Sequence, residues 1–224
     1  MHQLISKKVV IYLCLFFLLA TVNNISIVNL ELPKIEKIKI SGFNLNKNYE
    51  MKDIIENLNS KNIFLINQFE IKKSILSDNV IEELSIFKIY PSTLIIDIKK
   101  TKFLALTKKD GEDYFIGKNG KLIKKDQSIS NLPFIFGNLD IEEFLKFKEQ
   151  IDKSNFRFEQ ILNLYYYKSK RWDIETNKGY LIKLPRENIS KILNLFVRVS
   201  EEKNFSDKKI IDFRQKDQII LDAK

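Results

Sequence analysis

The chain has 224 residues, 44% hydrophobic and 30% charged, with 38 Lys and Arg against 29 Asp and Glu for a formal net charge of +9. This is enough apolar content for one large domain or two small ones and excludes disorder throughout. The positive charge is spread rather than gathered into a run interleaved with aromatics, which argues against a nucleic-acid module, while a single cysteine (Cys14) and a single histidine (His2) exclude an intrachain disulfide, a His/Cys metal cluster and the common His-based catalytic sites.

In chain order the first element is the apolar run Val9 to Val22, preceded by Lys7 and Lys8, the charge order of a signal peptide or a signal anchor. As a helix it spans only about 21 Å, so reaching the roughly 30 Å of a bilayer core requires extension to Val28, with Asn23 and Asn24 toward the far interface. Ala20-Thr21-Val22 offers no small-x-small cleavage site. The expectation is an uncleaved transmembrane anchor over 9–28, a cytoplasmic tail over 1–8, and everything after about residue 29 outside the cytoplasm.

Ile35 to Gly42 alternates Ile38 and Ile40 with Lys37 and Lys39, a half-buried strand stopped by glycine. Met51, Ile54, Ile55 and Leu58 fall on one face of a helix over 49–58, and a second short helix is expected over 68–76. Strands at 81–89 and 94–100 follow, separated by Tyr90-Pro91-Ser92-Thr93, where proline fits a turn and not a central ladder. Strand, helix, helix, strand, strand makes a small α+β unit with helices on one face of a sheet.

Beyond it, 114–123 reads as two strands around Asn119-Gly120. Leu132 to Gly137 runs L-P-F-I-F-G, a helix is expected over 141–151, and a strand over 171–176 places Trp172, Ile174 and Thr176 on one face. Asn177-Lys178-Gly179 turns it into a strand over 180–184, and a helix follows from Asn188, a candidate N-cap, to about residue 202. Trp172, the only tryptophan, reads as core. Two short strands around Gln215-Lys216-Asp217 complete the series between Ile210 and Leu221. Glu142-Glu143 and Asp212 with Asp217 are carboxylate pairs in sequence, but no other catalytic group stands near them, so no acid/base site is expected.

IEKIKISG, FKIYPSTLIIDI, LPFIFG, RWDIET with its returning strand ending in Leu184-Pro185, and IDFR at 211–214 occur in the order in which the FtsQ/DivIB family of bacterial division proteins carries similar segments. The chain resembles that family over nearly its whole length. It departs at 100–105, where the family's Glu-Arg-x-Pro-x-Ala survives only as Ala105, and its tail before the apolar run is shorter than the family's. The resemblance implies a POTRA domain (β-α-α-β-β) over 35–102 and a mainly antiparallel β domain with flanking helices over 103–224. It further implies a non-enzymatic protein of the inner membrane at the division septum, without cofactor or metal, that binds FtsB and FtsL outside the cytoplasm and helps assemble and regulate the machinery of septal peptidoglycan synthesis.

In the family a partner segment adds as a strand at the end of the β domain. Carried onto this chain, that implies a docking edge of Phe213, Arg214, Gln215, Lys216, Asp217, Gln218, Ile219, Ile220 and Leu221, with Arg214 available to an acidic partner residue and Lys216, Asp217, Asp222 and Lys224 guarding against self-pairing. The alternative is a POTRA-bearing chaperone of outer-membrane assembly or secretion, for which a long membrane β-barrel is expected to follow.

Overall fold

The computed structural model describes residues 6–22, 33–42, 49–59, 61–126, 129, 131–200, 209–215 and 218–222. Its first element, α1 (Lys7–Val22), has 16 residues, or about 24 Å of helix. Among the described residues no helix is long and apolar enough to cross a membrane. This corrects the expected anchor over 9–28: the helix is shorter than the roughly 30 Å it had to reach, and Asn23 to Val28, which the longer span needed, lie outside the described residues. The fold class is α+β without a membrane-spanning helix among those residues.

The strand β1 (Lys37–Ser41) exposes Lys37, Lys39 and Ser41 and half-buries Ile38 and Ile40, so its alternation follows the pleat. Helices α2 (Tyr49–Glu56) and α3 (Gln68–Ile75) come next, then β2 (Ile81–Ile89) and β3 (Thr93–Lys100). The three strands form a sheet in the order β1-β3-β2, and the strand, helix, helix, strand, strand succession is the expected one. Leu94, Ile96 and Ile98 of the central strand are buried together, the apolar half of a period-two pattern.

The chain divides into two compact units, residues 1–40, 45–68 and 86–96 in one and 41–44, 69–85 and 97–224 in the other. In the first, Lys88 Nζ donates to the Ile66 carbonyl at 2.9 Å, and the rings of Phe64 and Tyr90 stack at 4.8 Å.

The second unit contains β4 (Phe103–Lys109), β5 (Glu112–Gly117), β6 (Leu122–Lys124), β7 (Phe134–Phe136), α4 (Ile141–Asp152), β8 (Ile161–Tyr166), β9 (Trp172–Thr176), β10 (Leu181–Lys183), α5 (Ile189–Val199), β11 (Ile210–Asp212) and β12 (Ile220–Asp222). Its strands form one nine-stranded sheet in the order β12-β11-β10-β9-β8-β7-β4-β5-β6. Neighbours pair antiparallel except β4–β7, β7–β8 and β10–β11, which are parallel. β4, β7 and β8 are additions to the strands expected from sequence.

One cross-strand row explains how this sheet finds its core. Thr107, Ile135, Leu164, Ile174, Ile182, Ile211 and Leu221 stand opposite one another from β4 to β12, and all but half-buried Leu221 are buried. Helices α4 and α5 add Phe144, Phe147, Ile151, Leu193 and Phe196 to the same cluster. Trp172 is 3% exposed, stacked on Phe147 at 4.5 Å and against Tyr166 at 4.6 Å, as its reading as core required. Burial of that ring contributes about 2–3 kcal/mol. Asp140 caps α4 by accepting from the Glu142 N–H at 3.0 Å, whereas Asn188, at the expected N-cap of α5, is left-handed (φ 59°) and makes no side-chain cap bond.

Candidate functional site

The last two strands pair antiparallel, with Ile210 opposite Asp222 and Asp212 opposite Ile220, and β12 ends the sheet. The ladder itself shows which backbone groups face outward. Leu181 N–H bonds Lys209 O and Phe213 N–H bonds Lys183 O, while Lys209 N–H bonds Asp222 O at 3.1 Å, so Ile211, the odd residue within β11, turns its groups toward β10. Alternation then turns Ile210 and Asp212 toward β12, and their partners Asp222 and Ile220 turn back to meet them. Leu221 therefore directs its N–H and C=O away from the sheet.

The residues expected to form a docking edge separate into three settings. Ile219, Ile220 and Leu221 reach the end of the sheet, with Ile220 49% exposed and Ile219 and Leu221 packed against the core. Phe213 is in the core, 4% exposed, with its N–H spent on Lys183 O at 2.9 Å. Arg214, Gln215 and Gln218 are exposed. Lys216 and Asp217 lie outside the described residues. Arg214 is bound within its own chain: Nε meets both carboxylate oxygens of Asp212 at 2.8 Å, and Nη2 lies closer still to Oδ2.

A second row was not expected from the sequence. On the sheet face opposite the core row, Phe136, Tyr165, Asp173, Lys183, Asp212 and Ile220 stand in register from β7 to β12. Phe136 stacks on Tyr165 at 5.2 Å. Tyr165 OH donates to Glu175 Oε2 at 2.7 Å, and burial, then that carboxylate, pushes the phenol up to about 12. Tyr167 OH donates to Asp173 Oδ2 at 3.0 Å, under the Arg171 guanidinium, 4.8 Å from the ring centre. Burial raises the Asp173 carboxyl above its ordinary range although Tyr167, Arg171, Arg214 and Lys183 pull it down. For Asp212 burial also pushes up, but the side-chain and backbone hydrogen bonds from Arg214 hold the carboxyl below its ordinary value.

The sequence carried a signal for this row. It is the polar half of the alternation whose apolar half, Trp172-Ile174-Thr176 and Ile182-Leu184, marks the core. Chemically the row is a strip of aromatic faces and charges that ends at β12, the last strand of the sheet among the described residues. Among the described residues no group of three or more His, Cys, Asp or Glu is placed to hold a metal ion.

Residues 105–214 match the family model for the cell division protein FtsQ/DivIB C-terminal region, and residues 34–100 match that for the FtsQ-type POTRA domain. The chain is 24% identical over 192 residues to the cell division protein FtsQ of Agrobacterium fabrum, covering 84% of this chain and 60% of that protein. It is 34% identical over 143 residues to the cell division protein DivIB of Clostridium botulinum strain Loch Maree, covering 62% of this chain and 52% of that protein. It thus spans between half and two thirds of the length of these two relatives. The solved major extracytoplasmic domain of DivIB from Geobacillus stearothermophilus aligns with 46% of this chain and 92% of its own at 14% identity and a TM-score of 0.36.

Proposed function

Because the chain belongs to the FtsQ/DivIB family of cell division proteins, we propose that it is a docking subunit of the division machinery that performs no chemistry itself. It acts outside the cytoplasm at the septum and holds FtsB and FtsL, with one partner segment added as a strand beyond β12. A POTRA domain over 35–102 and a β domain over 103–224 are its two functional parts. The observation that carries the docking mode is the outward amide of Leu221 on the last strand of the sheet. An incoming extended chain gains affinity from main-chain hydrogen bonds there, and selectivity from the side chains it sets beside Ile220 and the charged row behind it.

The test uses the FtsB-like protein of the same organism, co-purified with wild type, Leu221→Pro or Leu221→Ala. Proline deletes the outward N–H and takes no donor from β11, while alanine removes the side chain and keeps the N–H. Partner recovery is expected to fall at least tenfold from the alanine to the proline variant. Equal recovery by the two variants overturns docking by strand addition.

A further inference from the structure

A sheet has two rims, and the second one, β6, is also formed by only three residues. Gly117 N–H bonds Lys121 O at 2.9 Å and Lys125 N–H bonds Asp113 O at 3.0 Å, so by alternation Leu122 and Lys124 turn their backbone groups outward. The outward Leu122 carbonyl is taken: Asn79 Nδ2 donates to it at 2.9 Å.

Asn79 is itself held by the turn that precedes β6. Asn119 Nδ2 donates to the carbonyls of Asn79 (2.9 Å) and Ile81 (3.2 Å), while its Oδ1 accepts from Lys121 N–H at 3.2 Å and its own N–H donates to Thr101 Oγ1 at 3.1 Å. Lys121 Nζ donates to Leu76 O at 2.9 Å, and Thr101 N–H to Val80 O at 2.8 Å. Reciprocal bonds of this kind restrain a segment far more than one amide alone, because each holds its neighbour in donating position. Lys124 adds an exposed cation at the rim, paired with Glu112 at 2.7 Å, a common guard against edge pairing.

We propose that residues 76–81 are a fixed plug on the β6 rim, with Asn119 as its positioning residue, so that the nine-stranded sheet accepts an added strand at β12 alone. The restriction to β12 rests on the proposed function; the plug does not. Asn119→Asp replaces two donors with acceptors against the Asn79 and Ile81 carbonyls.

The experiment is hydrogen exchange with sedimentation on the full chain, wild type and Asn119→Asp, each repeated with Leu221→Pro so that failure of docking at β12 does not enter. The Thr101 amide, whose acceptor is in the plug, is expected to exchange at least tenfold faster in Asn119→Asp while Ile174 in β9 is unchanged, and the freed rim to shift sedimentation toward larger species. Thr101 exchange within twofold of wild type, or faster exchange with unchanged sedimentation, overturns the proposal. Wild type supplies a test that needs no folded variant. The Thr101 and Ile123 amides are expected to open together with the same denaturant dependence, and a Thr101 amide that opens a hundredfold more often and independently contradicts a fixed plug.

Discussion

Asp173 and Asp212 both stand opposite Lys183, one in β9 and one in β11, yet their carboxyls are displaced in opposite directions. For Asp212 the folded value lies below the unfolded one, so its contribution is present above about pH 3.9 and is lost as pH falls through the folded value. Arg214→Ala leaves Asp212 without its guanidinium and should cost about 1–2 kcal/mol near neutral pH, a melting point lower by about 2–8 °C. The gap from wild type should close as pH drops below about 4. Asp173 has the reverse sign. Its folded value is raised, so the favourable contribution is complete below the unfolded value and disappears as pH rises through the folded one. Asp173→Asn is therefore expected to melt at a higher temperature than wild type at pH 7 and at the same temperature near pH 3. A pH series of melting curves checks both, and a lower neutral melting point for Asp173→Asn contradicts the burial argument. Neither effect is legible in sequence, where both residues are single acids on short strands. Arg214, read there as available to an acidic partner, pairs within the chain with Asp212.

Two glycines show how differently elements depend on one residue type. Gly111 turns β4 into β5 at φ 85°, and a Cβ there meets nothing within 4 Å. Gly111→Ala thus adds only left-handed strain, about 1–2 kcal/mol. Gly137 ends β7 at φ 112°, and a Cβ there falls 2.2 Å from the Tyr166 carbonyl. Since that oxygen is backbone of the adjoining strand, Gly137→Ala should cost more than about 3 kcal/mol, read as a larger drop in urea midpoint. The sequence pattern located β1, β3, β9 and the helices α2 and α5 because one face of each is apolar at a regular period. β4 has no such period, since Phe103 to Leu106 is continuously apolar and Thr107 to Lys109 polar, and only Asp110-Gly111 after it carries a hairpin signal. β8 escaped because Ile161-Leu162-Asn163-Leu164 does not alternate cleanly and half-exposed Leu162 breaks the period. The apolar run at the start did form a helix, described as Lys7–Val22, and among the described residues no helix is long and apolar enough to cross a membrane.

At the scale of the whole sheet, register decides which row is buried and which backbone groups face outward. A one-residue slip anywhere between β7 and β12 would exchange the buried row through Ile174 with the charged row through Asp173. The sequence contained both halves of this alternation, but not which strands adjoin. Parallel pairings such as β10–β11, separated by α5, join distant segments that no local pattern links. Leu221 faces outward only because of that order. The most direct measurement is hydrogen exchange at the Leu221 amide, with and without the FtsB-like protein. This amide is expected to slow at least tenfold when the partner is bound, while the Ile174 amide in the middle of the sheet keeps its rate. Unchanged exchange at Leu221 in a chain saturated with partner would contradict it.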